Sequence, residues 1–249
     1  MRIFAIGDIH GNYKQLQQLL GYISYNDAED RLIFLGDVID RGPDSRLVME
    51  FLLERQKEGR HIFLRGNHED FVLSLSEGNP SALYVWLNEG GRACMRSYAI
   101  PDNYIDQVGL NFYYRVRDHN RQFVSEHALN DPKQLRDFMR MVFPNEHLQL
   151  MRSMPDRFES GDYLFVHEHT DDIKTDKIVI SGHEHLFWPF VGQKRICLGL
   201  GKNRIGALDM DSLVVTTSEG TTHDIPQDVL LGAAARDYFR PSVGGAWET

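Results

Sequence analysis

Carboxylate, amide and imidazole side chains recur in this sequence just after short apolar runs that predict buried strands. The most informative stretch contains Asp37, Asp40 and Arg41, directly after the apolar run at 32–35. Similar groups follow four other predicted strands, so that five strand ends carry Asp8/His10, Asp37/Asp40/Arg41, Asn67/His68, His167/His169 and His183/His185. One such group could be a solvated turn or a structural histidine. Five groups instead predict one shared site, because open α/β sheets bind ligands beyond the carboxyl ends of their strands.

The donor types in these groups indicate metal-dependent phosphoryl chemistry. Carboxylate, amide and imidazole donors without thiolate favour Mn, Fe, Zn or Co over Ca or Mg. Their number matches two cations about 3.5–4 Å apart, which Asp37 could bridge and which would activate a hydroxide for in-line attack. Arg41 could form paired hydrogen bonds with a phosphoryl group.

The elements that must position these residues predict an α/β protein. Predicted strands at 2–6, 31–35 and 61–64 alternate with helices at 13–22 and from Asp44 or Ser45 to Gly59, which is typical of a doubly wound parallel sheet. Strands resume at 163–166 and 177–180. Three shorter antiparallel strands at 195–200, 205–210 and 212–217 predict a second sheet that packs on the first.

The middle of the chain has a different pattern. Residues 70–155 predict a mainly helical insertion, with helices at 71–76, 81–87, 92–98, 146–154 and after an Asp131 cap. Weak strand patterns occur at 112–116 and 122–125. We predict one domain over 1–249, in which 232–249 form a C-terminal tail.

Composition narrows the classes of function. The 249 residues include 27 basic and 36 acidic side chains, and this net charge of −9 argues against nucleic-acid binding. A phosphate ester remains compatible, since bound cations reverse the local charge. No apolar run reaches the ~18 residues of a membrane span, and Cys94 and Cys197 form no paired motif. We expect a cytoplasmic monomer.

Three motifs carry a family resemblance. Gly-Asp-Ile-His-Gly at 7–11, Gly-Asp-Val-Ile-Asp-Arg-Gly at 36–42 and Gly-Asn-His-Glu at 66–69 occur in this order. Together they resemble the signature of the phosphoprotein phosphatase family of calcineurin-like metallophosphoesterases. The stretch Trp-Leu-Asn-Glu-Gly-Gly at 86–91 also resembles bacterial and phage serine/threonine protein phosphatases. The resemblance implies a metallo-dependent phosphatase fold of two packed mixed β-sheets flanked by helices.

The resemblance also implies a role for each matching residue. Asp8 and His10 would bind a first metal, and Asp37 would bridge to a second. The second metal would be bound by Asn67, His167 and His183. His68, oriented by Asp40, would protonate the leaving oxygen, while Arg41 and Asn67 would hold the substrate phosphoryl group. The implied cofactors are two divalent ions, with Mn preferred and Fe, Zn or Co as alternatives.

Several positions depart from the family pattern. His185 creates a Gly-His-x-His pattern of the wider superfamily, so it is either a further ligand of the first metal or a structural residue. His169 would lie within reach of the site, and a place outside the metal ligands or in solvent is favoured for it over metal binding. The short segment between the last two ligand histidines leaves a second phosphate-binding arginine unassigned, with three candidates at Arg92, Arg96 and Arg204. Arg65 predicts an ion pair with a carboxylate such as Glu69.

Four functions remain open at this point. The leading prediction is a phosphomonoesterase that acts on phosphoserine, phosphothreonine or phosphotyrosine in proteins or on small phosphate esters. The alternatives are a symmetrical diadenosine tetraphosphate hydrolase, a phosphodiesterase, and a metal-binding protein without turnover. The residues Asp40, Arg41 and His68 argue against the last. The acidic pair Asp171–Asp172 predicts discrimination against strongly anionic polyphosphates.

Overall fold

Two mixed β-sheets pack face to face in the computed structural model, which describes residues 1–108, 131–170, 172–201, 203–225 and 230. The first sheet has the strand order β11-β10-β9-β1-β2-β3. Its strands are β1 (Ile3–Ile6), β2 (Arg31–Phe34), β3 (Ile62–Phe63), β9 (Gly206–Asp209), β10 (Val214–Thr217) and β11 (Thr222–Asp224). The parallel pairing of β1 with β2 and of β2 with β3 confirms that the three predicted strands of the first 70 residues are parallel neighbours.

The second sheet has the strand order β4-β5-β6-β8-β7. Its strands are β4 (Arg157–Ser160), β5 (Tyr163–Val166), β6 (Ile178–Ser181), β7 (Phe190–Gly192) and β8 (Arg195–Cys197). Because β5 and β6 are parallel, their carboxyl ends lie at the same edge. The residues that follow these two strands therefore meet there.

The predicted strands at 205–210 and 212–217 were assigned to the wrong sheet. They correspond to β9 and β10, which are antiparallel as predicted but extend the first sheet, where β9 pairs with the free edge of β1. Sequence periodicity reports which face of a strand is apolar but not which edge it will join. The second sheet is instead completed by β4, β7 and β8.

The two faces of the first sheet pack against different layers. Phe4 and Ile6 of β1 contact the helical layer, while Ala5 between them contacts the second sheet. Buried residues of α1 (Tyr13–Tyr22) and α2 (Ser45–Gln56) belong to the same helical layer. The sheet is therefore not doubly wound, because the second sheet covers the face that a doubly wound fold would cover with helices.

The described part of 70–155 is helical. It contains most of α3 (Asn67–Ser76), a 3₁₀ turn (Pro80–Ala82), α4 (Leu83–Trp86), a π-helical turn (Leu87–Gly91), α5 (Arg92–Ser97), α6 (102–108), α7 (Pro132–Val142) and α8 (Asn145–Ser153). Asp131 caps α7, since its side chain accepts a hydrogen bond of 2.8 Å from the Lys133 N–H. The weak strand patterns at 112–116 and 122–125 and the 232–249 tail lie outside the described residues. None of the helices in the described ranges is long and apolar enough to cross a membrane.

Candidate active site

The loops after β1 and β2 are joined by main-chain hydrogen bonds. The Asp37 carbonyl accepts bonds of 3.1 Å and 2.9 Å from the N–H groups of Ile9 and His10. The N–H of Gly11 donates to the Val38 carbonyl at 2.9 Å. These bonds place the first two sequence motifs side by side beyond the ends of the parallel strands.

Five of the predicted site residues have left-handed backbone conformations. The φ angles lie between 47° and 70° for His10, Asp37, Asp40, Arg41 and His183. For residues other than glycine this conformation costs about 1–3 kcal/mol each, and it persists where the surroundings enforce it. Such a concentration of backbone strain is typical of a functional site.

Asp37 is shared between two groups of potential metal ligands. We define the first cluster as His10, Asp37 and His68, and the second cluster as Asp37, His167 and His183. Within each cluster one donor atom from every residue lies within 4.8 Å of the others. The arrangement agrees with the prediction that Asp37 bridges two cations.

Asn67 completes the second cluster. Its Oδ1 atom lies 3.0 Å from His167 Nε2 and 3.1 Å from His183 Nδ1, and these two nitrogens are 3.2 Å apart. Asp37 Oδ1 lies 3.3 Å from His167 Nε2. Four donor atoms therefore converge on one point, as the ligands of a small cation do.

The histidine tautomers also fit metal binding. His10 and His167 donate Nδ1–H to the carbonyls of Ile39 and Leu35, at 3.1 Å and 2.8 Å. Such bonds direct Nε2 toward a metal. The Nε2 atom of His10 is buried without a hydrogen-bond partner among the described residues and lies 3.6 Å from Asp37 Oδ2. A cation would satisfy this nitrogen.

Asp8 is buried beside the clusters but belongs to neither of them. Its two carboxylate oxygens accept the His183 N–H at 3.0 Å and 3.1 Å. A Cβ atom at Gly182 would lie 2.2 Å from Asp8 Oδ1, which explains the glycine before His183. Asp8 therefore joins the loop after β1 to the loop after β6.

Burial and mutual charge dominate the electrostatics of the site. Burial and, next, the charge of Asp37 raise the pKa of Asp8 to about 7. Burial lowers the pKa of His10 to about 3. Burial disfavours a charge on His167 as well, but its hydrogen bond to Asp37 and that negative charge raise its pKa to about 10. Buried carboxylates and imidazoles at this density are characteristic of sites that bind cations.

His68 is held by a chain of hydrogen bonds. Its Nδ1–H donates to Asp40 Oδ2 at 2.7 Å, and Asp40 Oδ1 accepts the indole N–H of Trp86 at 3.1 Å. Ser45 supports Asp40 by accepting its main-chain N–H at 2.9 Å. Burial opposes a charge on His68, but the hydrogen bond to Asp40 and the charges of Asp37 and Asp40 raise its pKa. His68 can therefore carry a proton on Nε2.

Arg41 is positioned by the stretch after the third motif. Its backbone N–H donates to the Gly90 carbonyl at 3.3 Å, and its Nη2 donates to Glu89 Oε2 at 3.0 Å. Its Nη1 lies 2.7 Å from His185 Nε2, and its Nη2 lies 3.4 Å from His68 Nε2. The structure thus places His185 against Arg41 rather than in either cluster.

Glu69 has a role that the sequence prediction missed. The predicted ion pair of Arg65 with a carboxylate is present, but Glu69, which was named as an example of the partner, does not form it. The buried Glu69 carboxylate accepts N–H bonds from Asp37, Val38, Ile39 and Gly66 at 2.9, 3.0, 3.4 and 2.9 Å. Arg65 pairs instead with Asp70 and Asp156. A glutamate three residues after Gly66, at the start of a helix, is the capping signal that could have indicated this.

The remaining predicted residues lie at varying distances from the site. His169 is half-buried and belongs to neither cluster. Arg92 and Arg96 are ion-paired with the exposed carboxylates of Asp106 and Asp102. Arg204, in contrast, lines a cavity together with Arg41 and His10. Asp171 lies outside the described residues.

Asp37 is shared by two groups of residues that could each hold a metal ion, at the edge of a two-sheet fold. The chain belongs to the calcineurin-like phosphoesterase family, whose model matches residues 1–187. This result confirms the predicted superfamily and its metallophosphoesterase fold.

Several individual proteins are similar to the chain. A symmetrical bis(5'-nucleosyl)-tetraphosphatase of Nitrosospira multiformis is 36% identical over 78 residues, which cover 31% of this chain and 28% of that protein. The enzyme of the same name from Chromobacterium violaceum is 40% identical over 78 residues, or 31% of this chain and 27% of its own length. The matches therefore span little more than a quarter of these relatives.

Two solved structures share the fold. One is a protein proposed to be a diadenosine tetraphosphatase, with a TM-score of 0.53, 15% identity and coverage of 87% of this chain and 92% of the other. The other is a cold-active protein tyrosine phosphatase, with a TM-score of 0.50, 14% identity and coverage of 92% and 80%. At these identities the similarity concerns the fold alone.

Proposed function

We propose that this protein hydrolyses symmetrical dinucleoside tetraphosphates to two nucleoside diphosphates, using two divalent cations. The observation that carries the proposal is the sharing of Asp37 between two ligand clusters, with Arg41 and the Asp40–His68 pair beside them. The predicted preference for phosphoproteins thereby becomes the second candidate.

The two clusters are proposed to hold the cations. His10 and Asp37 would bind the first, with Asp8 beside them, and Asp37 would also contribute to the second. The further residues of the second site would be Asn67, His167 and His183. When bound, the cations polarise phosphoryl oxygens and lower the pKa of water so that hydroxide forms near neutral pH. We propose Mn²⁺ for both sites, with Fe, Zn or Co as alternatives.

The protein side chains orient the phosphoryl group and supply a proton. Arg41 presents two guanidinium nitrogens toward the site, with Nη2 3.4 Å from His68 Nε2, so that a phosphoryl oxygen held by Arg41 would lie near the histidine. Asn67, at the second cluster, could also contact this group. Asp40 fixes His68 with Nδ1 as donor, which leaves the Nε2–H free to protonate the leaving oxygen.

The choice of substrate rests on similarity to named relatives. The two bacterial tetraphosphatases each match 78 residues of this chain, and one structure with the same fold is proposed to be such an enzyme. The earlier expectation that Asp171–Asp172 disfavour polyphosphates runs against this choice. It remains a prediction, because Asp171 lies outside the described residues.

A specific contact favours the second candidate, a phosphoserine or phosphothreonine phosphatase. The stretch at 86–91 resembles bacterial and phage protein phosphatases, and in this structure it contacts two candidate site residues, Asp40 and Arg41. Trp86 donates a hydrogen bond to Asp40, and Glu89 accepts one from Arg41. The stretch that resembles protein phosphatases therefore also holds two of the candidate site residues in place.

A competition between three substrates tests the assignment. The protein reconstituted with Mn²⁺ is given diadenosine tetraphosphate, a phosphoserine peptide and bis-p-nitrophenyl phosphate, and the products are separated by chromatography. We expect the tetraphosphate to give the highest kcat/KM and ADP as its only nucleotide product. A preference for the peptide would replace the proposal by the second candidate, and a preference for the diester would indicate a phosphodiesterase. ATP and AMP as products would contradict symmetrical cleavage.

A further inference from the structure

A buried arginine that pairs with no carboxylate among the described residues lies next to the candidate active site. Arg204 is in the loop between β8 and β9 and is only 6% exposed. It lines a cavity of about 60 Å³ together with Asp8, His10, Arg41 and His185. The cavity thus joins Arg204 to Arg41 and to the first cluster.

The guanidinium of Arg204 is held by aromatic rings rather than by carboxylates. Its Cζ atom lies 4.5 Å from the ring centre of Phe187 and 5.6 Å from that of Trp188. Its Nε donates to the Gly201 carbonyl at 3.4 Å, whereas its Nη2 is buried without a hydrogen-bond partner among the described residues. The rings fix the position of the cation but do not replace the hydrogen bonds it lost on burial.

Such a group is unfavourable unless an anion completes it. A buried charge is normally paired, and within the described parts of the chain no carboxylate forms an ion pair with Arg204. Arg92 and Arg96 differ in this respect, because Arg92 is half-buried, Arg96 is exposed, and each is paired with an aspartate. Among the three arginines considered from the sequence, only Arg204 combines burial, an unused donor and a place at the cavity.

We propose that Arg204 binds the phosphoryl group next to the one held by Arg41. The inference rests on the proposed function and narrows it to substrates with at least two consecutive phosphoryl groups. The cavity is much smaller than the roughly 300–1,000 Å³ of pockets that enclose drug-sized ligands. It has room for phosphoryl groups but not for nucleosides, which would remain outside, near Phe187, whose ring packs on Arg204 and which is 55% exposed.

Calorimetric titration with a non-hydrolysable diphosphate tests this role directly. The Mn-loaded protein is titrated with imidodiphosphate and, separately, with orthophosphate. We expect the wild type to bind imidodiphosphate more tightly. Arg204→Met should weaken imidodiphosphate binding by about 10- to 100-fold, the loss expected for charged hydrogen bonds, and should change orthophosphate binding much less. Arg31→Met is the matched control, because Arg31 also stacks on a ring, Phe158, at 5.1 Å but lies at the opposite end of β2.

The outcomes separate this inference from the proposed function. Unchanged imidodiphosphate binding in Arg204→Met overturns it, as does an equal loss for both anions or a wild type that does not prefer the diphosphate. If Arg204→Met does not fold, Arg204→Gln, which keeps a donor for the Gly201 carbonyl, is held to the same criteria. Neither titration uses a dinucleoside tetraphosphate. The test of Arg204 is therefore independent of whether the protein cleaves dinucleoside tetraphosphates.

Discussion

The two sides of the site are built in different ways. On the side of β1 to β3, main-chain bonds, the Glu69 carboxylate and the Asp40–His68 pair fix the three motifs within a buried frame. On the side of β5 and β6, His167 and His183 reach the second cluster, but His185 remains exposed and contacts Arg41. The first side is specified within short motifs, whereas the second depends on which loops the fold brings together.

The largest expected effect comes from removing the proton donor on the first side. His68→Asn should lower kcat for a phosphoserine peptide by about 10²–10⁴-fold while both metals remain bound. The loss should be smaller for p-nitrophenyl phosphate, because its leaving group is far less basic and needs less protonation. Steady-state kinetics and metal analysis of the same preparation measure both effects.

The control for this variant is His61→Asn. His61 is also buried, but it bonds to the Leu32 N–H and to Glu58, away from the clusters. Its replacement should leave the ratio of the two kcat values unchanged. An equal loss on both substrates in His68→Asn would mean that His68 is not the acid, and a loss of metal would assign it as a ligand of the first cluster.

The next effect compares two histidines on the second side. His183→Ala should weaken the second metal by more than about 100-fold, because even outer residues of metal sites cost 10- to 100-fold. His185→Ala should retain both metals, since the structure pairs His185 with Arg41. Competition with a fluorescent chelator gives the two affinities. Equal metal loss in the two variants would make His185 a ligand and restore the alternative that its motif raised.

A smaller effect tests the hydrogen bonds of Glu69, which hold the three motifs on the first side of the site. Glu69→Gln should lower the free energy of unfolding by about 2–4 kcal/mol, because one amide oxygen cannot replace a carboxylate that accepts four main-chain bonds. Arg65→Met should cost less than about 1 kcal/mol, since its partners Asp70 and Asp156 are exposed. Urea denaturation of both variants measures the difference. The reverse order would show that the ion pairs of Arg65 stabilise the protein more than the hydrogen bonds of Glu69 do.

The difference between the two sides of the site also explains how much of the fold and the site could be predicted from the sequence. We could predict the parallel strands, the residues that follow them and the sharing of Asp37. Strand periodicity and local motifs determine what lies at a strand end. The pairing of β9 with β1 could not be predicted, since it depends on which edge of the first sheet stays free. Arg204 was one candidate among three, and only burial and the absence of an acidic partner among the described residues set it apart.

The smallest expected effect concerns the contact between Arg41 and the 86–91 stretch. Glu89 neutralises part of the Arg41 charge across a half-exposed bond of 3.0 Å. Glu89→Gln keeps an oxygen acceptor but removes the negative charge. More of the Arg41 charge is then available to the substrate, so the KM for diadenosine tetraphosphate should fall by up to about 5-fold at low salt, the scale of an exposed ion pair. The effect should vanish at high ionic strength, and Glu50→Gln, which breaks the exposed pair with Arg46, should leave KM unchanged. A rise in KM would show that Glu89 serves mainly to position Arg41, so that this arginine depends on a contact with a residue 48 positions away in the sequence.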